Sequence, residues 1–167
     1  MCGAACRSIL WGGLAAGTLD IGLASLIYLA SPVVILHSVA SGVLGAESFA
    51  GGAATAVLGL LLQWCISLVI AAVYTIAAIA WPVLRDRWIA GGLAHGVGIF
   101  VVMNYVVVPL SAARPHHPLT LQALLHRFTP ARLVENLAAL LVFGLIVAFC
   151  AHRLLPKERP GAAAPLA

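Results

Sequence analysis

The sequence predicts an all-α polytopic membrane protein: four transmembrane helices plus two short interfacial or re-entrant helices on the outer face. Two observations carry this. Apolar residues fill 63% of the 167 positions and charged residues only 8%, against about 45–50% and about 25% in soluble domains. The charges are also clustered, at Arg7, at Arg85, Asp86 and Arg87, from Arg114 to Arg132, and from Arg153 to Arg159, with long apolar runs between. So short a chain has too little interior to hide this much apolar side chain from water. Lipid is the solvent, as the mean hydropathy of +1.09 also says. A soluble enzyme, a disordered tail and a nucleic-acid binder with a basic face are excluded. The partner the composition demands is the lipid bilayer.

A crossing helix needs about 20 mostly apolar residues at about 1.5 Å each. The first span is expected at about 8–30, an apolar run too long for the core of a cleaved signal peptide. Ser31 and Pro32 then pair an N-cap with a first-turn proline and open a new helix. From Pro32 to Gly45 the chain is apolar but too short to cross, which fits a re-entrant or interfacial helix. The second span, about 52–81, lies in a run longer than one crossing, so it tilts or projects at its start. Trp81-Pro82 and the charged turn after it close that span. The third occupies 88–110, with Pro109 near its exit. Residues 119–128 put Leu121, Leu124, Leu125 and Phe128 on one helical side and Gln122 and His126 on another, an amphipathic helix for the outer headgroup layer. The fourth span, 130–153, opens on Thr129-Pro130, again a cap and a first-turn proline.

These elements form a single domain over residues 1–155, followed by a Pro- and Ala-rich tail, 156–167, expected to be disordered and cytoplasmic. With both termini inside, Arg7, Arg85, Arg87, Arg153, Lys157 and Arg159 are cytoplasmic, against Arg114, Arg127 and Arg132 outside. The positive-inside rule therefore puts both termini in the cytoplasm. Cys2, Cys6, Cys65 and Cys150 form no disulfide framework; Cys65 and Cys150 lie in apolar runs as small hydrophobes. An internal duplication is also suggested. Residues 12–17 (GGLAAG) and 91–96 (GGLAHG) match at an offset of 79, which also aligns His37 with His116. Such a repeat relates two halves about an axis along the membrane normal; chance likeness among Gly/Ala/Leu-rich helices explains it as well.

Few residues carry chemistry. Asp20 falls near the middle of the first span, where a carboxylate costs about 2.5–3.5 kcal/mol. It shares a helix face with Gly13 and Gly17, a Gly-x-x-x-Gly surface for helix approach. It is either a buried proton or cation site or a hydrogen-bonded acid pinning two helices. His95 lies two turns into the third span beside Gly92 and Gly96; it bridges helices, or ligates haem with His152. Gln63 and Asn104 are amides inside spans, suited to interhelical hydrogen bonds. Outside, His37, Glu47, His116, His117, His126 and Glu135 form a polar cluster. No pair in it has i, i+4 ligand spacing, so no metal or other cofactor is assigned. No nucleophile with its base and no phosphate loop is present, so no enzymatic activity is expected.

Gly17 to Ile21 (GTLDI), Ile35 to Gly45 (ILHSVASGVLG), Phe49 to Gly52 (FAGG), Met103-Asn104-Tyr105 and Pro109-Leu110-Ser111 together resemble a family of small uncharacterised four-helix bacterial inner-membrane proteins. The resemblance runs over about residues 11–152. It implies four helices and an inner-membrane location, and no established activity. Gln63 and Leu140 stand where that family often has histidine, so a histidine site at those positions would not carry over. The function expected first is a non-enzymatic structural or accessory subunit of a membrane assembly, or a homo-oligomer, because the small residues favour tight association. A small transporter or channel centred on Asp20 comes second, and a haem-binding redox protein third.

Overall fold

The computed structural model describes residues 2–112 and 129–156. The amphipathic segment 119–128, His116, His117, His126 and the tail from residue 157 lie outside the described residues. Those residues form α1 (Cys2–Tyr28), α2 (Pro32–Leu44), a 3-10 turn (Gly45–Phe49), α3 (Gly52–Ala80), α4 (Val83–Asp86), α5 (Trp88–Val102) and α6 (Pro130–Leu154). A π-helical stretch, Met103–Val107, and a last α turn, Val108–Leu110, extend α5. No strand occurs among the described residues, and the architecture is all-α and polytopic.

Local chemistry explains the breaks. Ser31 caps α2 through Val34 N–H (3.4 Å) and Thr129 caps α6 through Arg132 N–H (3.5 Å), each with proline in the first turn. Trp81 precedes Pro82 and is extended, at φ −124°, because a proline ring pushes the preceding residue out of the α region. α1 begins six residues before the expected Ser8. It ends in a Schellman motif, with Leu29 N–H on Leu26 O and Ala30 N–H on Ser25 O. Leu29 occupies the left-handed position (φ 49°) where glycine is usual, at a penalty of about 1–2 kcal/mol for an L side chain. Leu29→Gly is therefore expected to stabilise the protein by ~0.5–1 kcal/mol, after glycine's greater unfolded-state entropy is subtracted. Unfolding in a titrated denaturing detergent measures this.

Among the described residues five segments are long and apolar enough to span, the four expected ones and Pro32–Phe49. The fifth reaches 18 residues only by joining α2 to the 3-10 turn, and Gly45, at φ +64°, breaks the two apart. α2 packs chiefly on α3, with fewer contacts to α1. The Leu36 carbonyl sits against Gly59, His37 reaches Gly52 O (2.9 Å), and Gly42 O accepts from Ala112 N–H (2.9 Å). α2 thus lies across the start of α3 and the exit of the third span, as a short end-on helix. At the opposite end Arg85 donates to Pro156 O (2.7 Å) and His152 Nδ1 pairs with Arg85 O (2.7 Å), tying α4 to the end of α6.

The spans pack in the order α3, α1, α6, α5, while the backbones of α3 and α5 stay apart and meet through side chains such as Tyr74 and His95. Small residues set this order. A Cβ on Gly13 would sit 3.0 Å from the Cα of Leu68 in α3, and one on Gly96 would sit 2.6 Å from Leu140 O in α6. The core between the helices is half alanine: Ala16, Ala71, Ala78, Ala148 and Ala151, with Tyr74, Ile99, Phe143, Val147 and Leu155. Gly13 and Gly17 face α3, and Gly92 and Gly96 face α6, so each glycine motif packs on the next span in its own half. The halves then diverge, because α1 packs along α6 whereas α5 leaves α3.

Candidate functional site

Asp20 is joined to α3 by the Gln63 side-chain amide, which donates to Asp20 Oδ2 at 2.9 Å. Trp64 Nε1–H on Thr18 Oγ1 (3.2 Å) and the buried Ser8–Thr75 hydroxyl pair (3.3 Å) continue the same seam. Where backbones approach this closely, polar side chains find partners on the facing helix, each bond contributing about 0.6 kcal/mol in lipid.

On its other side Asp20 lines a cavity of about 200 Å³ with Ala24, Ile27 and Tyr28 of α1, Met103, Asn104 and Val108, and Asn136, Ala139 and Leu140 of α6. That is room for several water molecules. Positions 20, 24, 27 and 28 form one stripe of α1, so the cavity lies along its last turns, from Asp20 to Tyr28. There the Arg132 guanidinium donates to the Ile27 carbonyl and lies over the Tyr28 ring, 5.1 Å from its centre. A cation suits this place, because the last four carbonyls of α1 lack helical partners and carry the negative end of its dipole. Glu135 pairs with Arg132 at 3.3 Å on the surface, an arrangement that contributes little by itself.

Asn104 enters the cavity wall on the π-helical stretch. Pro109 has no N–H to donate, and Val108 N–H bonds Met103 O, five residues back. In an α-helix residue 108 would serve the Asn104 carbonyl, and in a π-helix residue 109 would. Neither does. The Asn104 side-chain nitrogen meanwhile bonds Phe100 O at 2.9 Å, holding the buried side chain in place.

Of the four residues expected to make an intramembrane polar site, Asp20, Gln63 and Asn104 gather here. His95 does not. It lies between α3 and α5, its ring 5.0 Å from that of Tyr74, whereas His152 is engaged with Arg85 and lies near Trp88. The two imidazoles have separate surroundings. Of the outer polar residues that are described, His37 bonds Gly52 O and meets Phe49 edge-on, Glu47 is exposed, and Glu135 pairs with Arg132. Among the described residues no three His, Cys, Asp or Glu side chains converge on a metal position. Asn136 is the site residue that sequence reasoning missed. The available signal was its place as a lone amide in the first two turns of a span, one turn beyond Arg132.

Gln63→Leu removes the donor to Asp20 and is expected to destabilise the fold by ~1–3 kcal/mol, the cost of an unpaired buried polar group. Gln63→Glu, which can share a proton with Asp20, is expected to recover part of that loss; the same detergent titration reads both. No family model, curated protein or solved structure matches this chain.

Proposed function

We propose that this chain is a non-enzymatic, multi-pass bacterial inner-membrane protein, with both termini cytoplasmic, that takes a proton or a small monovalent cation onto Asp20. The observation that carries this reading is the cavity that runs from Asp20 to the last turn of α1. An acid at that depth is costly unless it is protonated, paired or solvated. Gln63 supplies one hydrogen bond, and the cavity leaves space beside the acid for water or an ion. The Asn104 carbonyl, left without its helical donor, and the amides of Asn104 and Asn136 are oxygen ligands of the kind that coordinate a dehydrated monovalent cation. π-helical stretches are frequent at functional sites.

The accessory-subunit reading rested on small residues as association surfaces. Gly13, Gly17, Gly92, Gly96 and Gly144 place their open sides within the bundle, and an internal face is closed to partners. That favours the Asp20 reading over assembly through glycine faces. The test is flux in proteoliposomes. An imposed proton gradient followed with an entrapped pH dye, and a sodium gradient followed with an entrapped sodium dye, tell the two ions apart. Flux above empty liposomes in one arm supports the reading, and flux in neither arm removes it.

A further inference from the structure

The end of the bundle opposite Arg132 gathers positive charge beside exposed hydrocarbon. Arg85 donates to Pro156 O (2.7 Å), and its own carbonyl accepts from His152 Nδ1 (2.7 Å), so α4 is fixed on the last turn of α6. Trp88 opens α5 against the same turn, its ring 5.5 Å from that of Phe149 and 6.0 Å from that of His152. The Arg153 guanidinium lies over the Phe149 ring, 5.3 Å from its centre, and Arg87, next to Trp88, is exposed. This corner therefore holds three guanidiniums and one carboxylate, the exposed Asp86. Among the described residues the one ion pair is Arg132–Glu135, so Arg87 and Arg153 are not neutralised by an acid. α5 also starts without a side-chain cap, and its first N–H groups add the positive end of a helix dipole.

Guanidiniums beside an open helix start suit a phosphate, which Arg binds through paired hydrogen bonds. What lies beneath them separates a lipid phosphate from a free one. Phe149 is one turn closer to the membrane core than Arg153 and is 43% exposed; Ile89, at the start of α5, is 54% exposed. A free phosphate gains nothing from that surface, whereas the glycerol and first methylenes of a phospholipid cover it. The net positive charge selects an anionic head over a zwitterionic one, whose ammonium would enter a cluster of guanidiniums. We propose that this corner binds one anionic phospholipid, its phosphate on Arg87 and Arg153 and its acyl chains along Ile89 and Phe149. The site is independent of the Asp20 reading, which concerns the other end of the bundle.

The test uses purified full-length protein in nonionic detergent micelles, with dioleoylphosphatidylglycerol, dioleoylphosphatidylcholine or inorganic phosphate added in separate series. Melting midpoints report binding, because a ligand of the native state raises them in a saturable way. Lipid phosphorus retained after gel filtration reports occupancy. Phosphatidylglycerol is expected to raise the midpoint and to stay bound as a single lipid per chain, less so as salt rises. Phosphatidylcholine and inorganic phosphate should do neither. Arg87→Gln and Arg153→Gln are each expected to weaken phosphatidylglycerol binding about fivefold. Arg7→Gln is the control: Arg7 is exposed on α1 at the same end but makes none of the contacts above, so binding should persist. Equal effects of phosphatidylglycerol and phosphatidylcholine overturn the proposal, as does an equal effect of inorganic phosphate, which assigns the corner to the free ion. Equal losses in Arg7→Gln and Arg87→Gln also overturn it, since binding then follows diffuse surface charge rather than this site.

Discussion

Asp20→Asn is expected to lower proton or cation flux by at least about tenfold while leaving the fold intact, because the amide cannot take up or release the charge that flux through a buried acid requires. The substitution is nearly isosteric. Asn keeps an oxygen that accepts from the Gln63 amide, now 2.9 Å from Asp20 Oδ2, so the α1–α3 seam keeps its hydrogen bond. Flux in proteoliposomes and unfolding in denaturing detergent are read on the same preparation. Loss of flux with unchanged unfolding supports a functional acid. Unchanged flux with unchanged unfolding reduces Asp20 to a helix pin. Asp20→Leu provides the contrast, since it strands the Gln63 amide and should impair stability as well. Asn136→Leu, on the facing cavity wall, is expected to reduce flux by a smaller factor without touching the Asp20–Gln63 bond.

The second large effect concerns packing. Gly144→Ala is expected to destabilise the bundle by ~3 kcal/mol, the upper part of the range for overpacking. The new methyl would collide with the Gly92 carbonyl oxygen and would sit 2.7 Å from Gly96 N. Both obstacles are backbone, so no side chain can rotate aside. The helices must separate, and α5 loses its only extensive neighbour among the spans. Gly22→Ala and Gly98→Ala are the controls. A Cβ at either meets nothing within 4 Å, so each should be neutral or stabilise by up to ~1 kcal/mol through lower unfolded-state entropy. Unfolding midpoints of the three variants in one detergent decide the matter. Equal midpoints for Gly144→Ala and Gly98→Ala would mean that α5 and α6 are not held at backbone contact.

Much of the fold was legible in the sequence because its determinants are local. Ser31-Pro32 and Thr129-Pro130 start helices through bonds made within one turn, and Trp81-Pro82 ends one through a clash with its own neighbour. The Asp20 site was legible in part. A carboxylate in an apolar run identifies itself, and Gln63 and Asn104 stand out in the same way. That Gln63 is the residue bonded to Asp20 follows from the register of α1 against α3, 43 positions apart in the chain. The repeat gave no help, since at its offset of 79 Asp20 corresponds to Ile99 and Gln63 to Val142. His95 was grouped with the wrong neighbours. Depth in the membrane can be counted along a helix, but the side of the helix that meets a given partner cannot.

The sequence by itself determined the solvent, the helical class, the expected spans and most of the helix boundaries, because hydropathy, proline and capping act over a few consecutive residues. The tertiary structure decided which spans touch. It closed α1, α6 and α5 into contact through glycine and alanine, left the backbones of α3 and α5 apart, placed Asn104 and Asn136 beside Asp20, and set His95 between α3 and α5. Helix pairing in lipid depends on shape complementarity between whole faces, and shape is a property of two surfaces together.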